Sequence, residues 1–181
     1  MSDQQDLIAG CKRKDTRARK KLYELYAPAM LGICVRYVDE KETARDILHE
    51  GFIKVFTKIE SYSGAGSFEG WMRKIFVTSA LEYLRSIKAF GGTVSLDYWN
   101  ETADNNDTDI VEQLSAEEIV RCINELPPGF RTVFNLYAIE GYSHAEIAQL
   151  LNIQEVSSRS QFARARKMLQ TKIRDLYKIK R

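Results

Sequence analysis

Proline is scarce in this 181-residue chain, with three residues, and glycine is limited to ten. So few breakers favour long regular elements over a loop-rich fold. Cysteine is scarce as well. Cys11, Cys34 and Cys122 are odd in number, far apart and without a CxxC pair, which leaves neither a disulfide scaffold nor a zinc ribbon. They read as three reduced thiols of a cytosolic protein. Long apolar runs are missing too. The longest uncharged stretch, Leu25–Val35, covers eleven residues, where a membrane span needs roughly twenty. The opening Met1–Asp6 is polar with no continuous apolar run behind it, so no secretory signal is expected. With 44% hydrophobic and 29% charged residues, the chain is also too apolar for general disorder.

Motifs of catalysis are equally sparse. There are two histidines, and His49-Glu50 lacks the second histidine of a zinc-protease helix. His144 falls in the first turn of a capped helix, where a solvated surface position is expected. Gly64-Ala-Gly66-Ser-Phe-Glu-Gly70 is one residue too long for a dinucleotide fingerprint and no strand precedes it. A GxxxxGK[ST] phosphate loop does not occur. No catalytic residue, metal site or cofactor is expected.

What the chain does have is an uneven charge. Residues 1–92 carry 16 Lys/Arg against 12 Asp/Glu, and residues 113–181 carry 11 against 7. Between them, residues 93–112 hold six acids and no base. From Val156 to Arg181 there are nine bases and one acid, Asp175, the electrostatic footprint expected of phosphate binding. The acidic stretch lacks helical periodicity, and its like charges and turn-forming residues repel regular structure. We therefore expect an all-α protein of two helical domains, 1–92 and 113–181, joined by a flexible acidic linker over 93–112.

In the first domain a short helix is expected to end at Gly10. Leu22, Leu25, Tyr26, Ala29, Ile33 and Tyr37 then recur at helical steps on one face, with Pro28 inside the pattern as a source of a kink. A second amphipathic helix spans Glu42 to Ile59, burying Ala44, Ile47, Leu48, Phe52, Val55, Phe56 and Ile59. The Ser61–Ser67 run breaks the pattern, and Ser67 is suited to cap a third helix that runs to about Ala89. That helix interleaves Phe68, Trp71, Phe76 and Tyr83 with Arg73, Lys74, Arg85 and Lys88. Aromatics can stack on unpaired bases while the basic side chains hold the strand's phosphates, although Phe76 reads as core.

Sharper signals mark the second domain. Ser115-Ala-Glu-Glu118 and Ser143-His-Ala-Glu146 both have the capping-box spacing. Pro127-Pro128 ends the first of these helices at Leu126, and Gly141 closes a helix over Gly129–Glu140. The run Ser143–Leu169 has the dimensions of a helix-turn-helix. A short capped helix carrying Ala148 leads into Leu151-Asn152-Ile153, where Asn tolerates a left-handed backbone. The helix that follows has a polar exposed start (Gln154, Glu155, Ser157, Ser158, Arg159, Gln161) and an apolar inner face (Phe162, Ala165, Leu169). Such a helix fits the major groove, where Arg pairs with guanine and Gln with adenine. Arg164, Arg166, Lys167 and Lys172 are then placed to follow phosphates.

The residues that carry these signals resemble the bacterial sigma factors of the extracytoplasmic-function group, over nearly the whole chain. Ile123–Leu136, Glu140–Leu151 and Ser160–Lys167 are similar to region 4, which binds the −35 promoter element. Ala44–Phe56 resembles region 2.2, the surface that docks on the polymerase clamp. Phe68–Ile75 and Glu82–Arg85 resemble regions 2.3 and 2.4, which open and read the −10 element. The chain departs from the family at His49 (usually Gln), Thr78 (Asn), Glu82 (Asp) and Val156 (Gly).

The resemblance implies a transcription initiation factor and not an enzyme. Its partners would be core RNA polymerase, promoter DNA and an anti-sigma factor. Polymerase docking would fall to Asp46, His49, Glu50 and Ile53. The opened −10 strand would meet Phe68, Trp71, Lys74, Thr78, Tyr83, Arg85 and Lys88, with the Ser61–Ser67 loop able to cradle a flipped base. The −35 duplex would meet Ser157, Ser158, Arg159, Ser160, Gln161, Ala163, Arg164, Arg166 and Lys167. The alternative is a stand-alone regulator that binds duplex DNA through the helix-turn-helix alone.

Overall fold

The computed structural model describes residues 3–89 and 115–179, except for the side chains at 88, 89 and 177–179. Those residues form eight α-helices and no strand. They group into two compact units, the first reaching Gly92 and the second starting after it. The expected acidic linker lies outside the described residues, as does the side chain of Lys88.

The first unit holds α1 (Asp3–Lys12), α2 (Thr16–Tyr37), α3 (Lys41–Lys58) and α4 (Phe68–Ala89), with a 3-10 turn, Ile59–Ser61, after α3. Helix α1 does not stop at Gly10. It runs on to Lys12, and Gly10 is buried where a Cβ would sit 2.7 Å from that of Ala18. Here glycine permits a close helix approach instead of a C-terminal turn, and Lys14 takes the left-handed backbone at φ 62°. Asp15 then caps α2 by accepting from the Ala18 N–H at 2.7 Å.

The buried stripe of α2 differs from the expected one. Leu22, Met30, Ile33, Cys34 and Tyr37 are inside, while Leu25 is 60% exposed and Ala29 also faces water. Packing follows the steps of four from Leu22 through Tyr26 to Met30, and Leu25 lies to one side of that line. Pro28 sits on the exposed side of one continuous helix. In α3, Ala44, Ile47, Leu48, Phe52 and Val55 are buried as read, and Phe56 is half-buried beneath the Arg19 guanidinium, 5.3 Å from the ring centre. At Gly51 a Cβ would overlap the Phe76 ring, so the missing side chain lets α3 and α4 close on each other. Ser67 caps α4 as read, accepting from the Gly70 N–H at 3.0 Å.

The second unit holds α5 (Ala116–Asn124), α6 (Pro128–Phe134), α7 (His144–Leu151) and α8 (Glu155–Ile179). Both capping boxes form, at Ser115 with Glu118 and at Ser143 with Glu146. Helix α6 starts one residue earlier than expected, at Pro128, and its last turn widens to a π-helix over Asn135–Ile139. Gly141 closes it at φ 77°, with the Tyr142 N–H reaching back to the Leu136 carbonyl at 2.9 Å. Cys122 and Ile123 of α5, with Leu126 just beyond its end, pack on Ala165 and Leu169 of α8 to make the core.

Candidate nucleic-acid and polymerase interfaces

The turn between α7 and α8 sets the geometry of the second unit's site. Asn152 adopts the left-handed conformation, φ 53° and ψ 50°, and the Ile153 N–H bonds the Ala148 carbonyl at 3.0 Å. Because Ala165 and Leu169 face the core, the opposite side of α8 is left to solvent. Arg159, Ser160, Ala163, Arg164 and Arg166 are exposed there, and Lys167 is half-buried. Arg159, Ala163 and Arg166 follow each other at helical steps, so three candidate DNA contacts lie along one line. Arg159 is held by Glu155 at 2.5 Å, and the Ser160 hydroxyl is turned to the Ser157 carbonyl at 3.1 Å. Ser157 and Gln161 are half-buried on the flank.

Ser158 corrects the sequence reading. It is fully buried, its hydroxyl 2.9 Å from His144 Nδ1, and it cannot touch DNA. His144 is not a surface residue either, since only 9% of it is exposed. Its ring lies flat on Tyr137, centroids 4.2 Å apart, and edge-on to Phe162. Burial pulls its pKa below the ordinary value of 6.5, Arg159 adds to that, and Glu155 opposes it. The pair therefore pins the first turn of α7 to the first turn of α8.

In the first unit, Phe68 is likewise core and not a DNA contact, with 1% exposure. It packs edge-on against Tyr26 and Tyr62 and lies nearly parallel to Trp71, at 5.5 Å. Trp71 is half-buried, so one face of its ring rests on Phe68 and Tyr62 while the rest meets solvent. Lys74, Thr78 and Arg85 are exposed three, seven and fourteen positions after it, on one side of α4. Tyr83 is half-buried and stands ~140° around the helix from Thr78, so the helix does not bring it onto that side. The loop beside Trp71 is shaped by Gly64 at φ 84° and Gly66 at φ 76°, and Tyr62 spans it, donating its hydroxyl to the Gly66 carbonyl at 2.9 Å.

Helix α3 presents Asp46, His49, Glu50 and Ile53 together, all exposed, with Ile53 at 66%. The His49 ring lies over Tyr23 at 6.5 Å. Behind this face Lys54 joins Glu50 at 3.0 Å, Glu82 of α4 at 2.5 Å and the Ser79 hydroxyl at 3.2 Å. Burial works against the ammonium, but its hydrogen bonds to Glu82 and Glu50 outweigh that and leave its pKa raised.

Comparison with known proteins finds a family for both units. Residues 22–90 match the family described as Sigma-70 region 2, and residues 116–169 match Sigma-70 region 4. A sigma-E factor of Haemophilus influenzae, described as an ECF RNA polymerase sigma factor, is 30% identical over 184 residues, spanning 95% of this chain and 96% of its own. The chain belongs to the ECF sigma factors of the sigma-70 family. The SigW factor of Bacillus subtilis is 25% identical over 93% of this chain and 96% of its own. In fold, the sigma factor is similar to RpoE of Bartonella quintana, solved with the anti-sigma factor NepR, at a TM-score of 0.53 and 17% identity. That alignment covers 86% of this chain and 96% of that one.

Within the region 2 match lie α3, the Ser61–Ser67 loop and the exposed side of α4; within the region 4 match lie α7 and most of α8. Sequence reasoning missed Tyr62, Lys54 and the buried role of His144. Only Tyr62 left a signal, as the lone aromatic of a serine- and glycine-rich loop. No described helix of this sigma factor is long and apolar enough to cross a membrane.

Proposed function

We propose that this sigma factor binds core RNA polymerase through region 2 and directs it to a subset of promoters from within the cytoplasm, without catalysing a reaction itself. Residues 1–92 act as region 2, residues 93–112 as an acidic linker and residues 113–181 as region 4. The observation that carries the reading is the pair of family matches in order on one chain, each ending on an exposed polar helix face. Asp46, His49, Glu50 and Ile53 dock on the polymerase. Trp71, Lys74, Thr78 and Arg85, with Lys88 further along α4, hold the opened −10 strand, and Tyr83 lies to the side of that track. In region 4, Arg159, Ser160 and Ala163 meet base edges in the −35 major groove. Arg164, Arg166 and Lys167 follow the backbone, and Ser157 and Gln161 flank them. An anti-sigma factor holds the protein until a signal arrives; the partner in the Bartonella complex supports this.

Run-off transcription with purified core enzyme, with and without the protein, tests the reading. Discrete transcripts should appear only when both are present. A stand-alone regulator would instead bind promoter duplex tightly without polymerase and protect a palindrome. That outcome would overturn the proposal.

A further inference from the structure

One strongly charged surface belongs to none of the sites above. Residues 12–21 contain seven bases and a single acid, Asp15, and that carboxylate is occupied in capping α2 at the Ala18 N–H. Arg13, Lys14, Arg17, Lys20 and Lys21 are all exposed. Arg17, Lys20 and Lys21 share one side of α2 at helical steps, and Arg13 and Lys14 occupy the turn just before it. Lys20 makes a pair with Glu24 at 3.8 Å, both side chains well exposed, which contributes little in water. The other four pair with no acid among the described residues.

Like charges at this density repel each other, and among the described residues no acid offsets Arg13, Lys14, Arg17 or Lys21. The turn is also fixed in position. Lys12 donates to the Tyr62 carbonyl at 3.1 Å, at the start of the Ser61–Ser67 loop, and Arg19 lies over Phe56 in the last turns of α3. The Lys12 contact sets the basic turn beside the loop that flanks Trp71, and the Arg19 contact ties the start of α2 to α3. A surface of exposed cations with no acid partner fits phosphates, which Arg and Lys contact without reading sequence.

We propose that the α1–α2 turn is a second DNA-binding surface, which takes the promoter's phosphate backbone next to the −10 segment through Arg13, Lys14, Arg17 and Lys21. This rests on the sigma-factor reading above and extends the DNA path beyond α4. Its contribution is independent of sequence and sensitive to salt, because each phosphate neutralised releases condensed counterions.

The test uses holoenzyme assembled from core polymerase and the full chain. Promoter binding is measured across a salt series for wild type and for the Arg13→Gln, Arg17→Gln, Lys21→Gln triple variant. Three lost phosphate contacts should lower the slope of log K against log salt by about 2 to 3, at ~0.7–0.9 per contact. The loss should be the same on promoters of different sequence. Arg13→Lys with Arg17→Lys, keeping Lys21, should retain the slope, since a phosphate needs charge and not guanidinium geometry. An unchanged slope with the triple variant overturns the proposal, and so does a loss of core affinity in its place, which would make the patch a polymerase contact. Failure of the sigma-factor reading is separable: wild-type holoenzyme would then give no promoter-specific transcript at all.

Discussion

His144 shows how one side chain can link stability to pH in a DNA-reading element. Its native pKa lies below the unfolded value of about 6.5, through burial first and Arg159 second. The unfolded chain therefore binds more protons in that range, and stability is present above about pH 6.5 and lost as pH falls below it. Calorimetry of the full chain at pH 7.5 and 5.5 should show the second unit melting earlier at the lower pH, and His144→Gln should remove that part of the dependence. Cys34 makes a second prediction. Burial pushes its thiol up to about 12, against a small opposing effect of its own backbone and of Arg36. The thiolate is the reactive form, so iodoacetamide at pH 8 should leave Cys34 unlabelled in the native protein and label it in denaturant. Mass spectrometry after native labelling decides it, and ready modification would mean that α2 opens.

Helix α3 carries two demands on opposite sides. Its inner side is fixed by Phe52 on Tyr23 and Phe76, and by Gly51 under the Phe76 ring, while its outer side keeps Ile53 in water. Asp46→Lys should reduce co-purification with core polymerase at least tenfold while circular dichroism and the thermal midpoint stay unchanged, because Asp46 is exposed. Wild-type recovery of polymerase would remove α3 from the docking surface. Glu50 is a poorer probe on its own, since it shares Lys54 with Glu82. Reversing it sets two cations against each other and disturbs the contact between α3 and α4. That lysine also gives the element a second use: the face proposed for docking and the helix proposed for the −10 strand hold the same ammonium group.

The proposed division of work between the two units is tested by one variant in each. Arg159 lies in the first turns of α8 on the exposed line, and Arg159→Ala should cost about 1–3 kcal/mol of discrimination if it pairs with a base. The defect should appear on promoters with an intact −35 element and fade when that element is scrambled. Trp71→Ala should spare −35 duplex binding and lower open-complex formation, since a ring that stacks on an unpaired base acts only after the strands part. Stacking is worth about 1–3 kcal/mol per base, and a pre-melted bubble should restore part of the loss. Because Trp71 is half-buried against Phe68 and Tyr62, Trp71→Phe keeps the packing and provides a folded comparison. Permanganate reactivity of the −10 thymines reports opening directly. Equal duplex-binding defects in both variants, with normal melting, would end the two-step division.

What the sequence determined by itself is whatever depends on atoms three or four residues apart. The capping boxes at Ser115 and Ser143, the Ser67 cap, the left-handed Asn152 and the Gly141 stop all appear where the residue types put them. The helices and the helix-turn-helix follow from those local bonds. Exposure on α3 and α8 was legible for the same reason, because a regular helix turns a spacing into a face. The tertiary structure alone decided which polar groups go inside and which apolar ones stay out. Ser158 and Phe68 look like DNA contacts on their own helices, and are removed from DNA by His144, 14 positions away, and by Tyr26 and Tyr62. Lys54 meets Glu82 across 28 positions, and Leu25 is left in water because the packed line on α2 runs through Met30. The partners of Ser158, Phe68 and Lys54 come from other helices or a loop distant in the chain, and their identity is set by how the helices pack and not by the local chain.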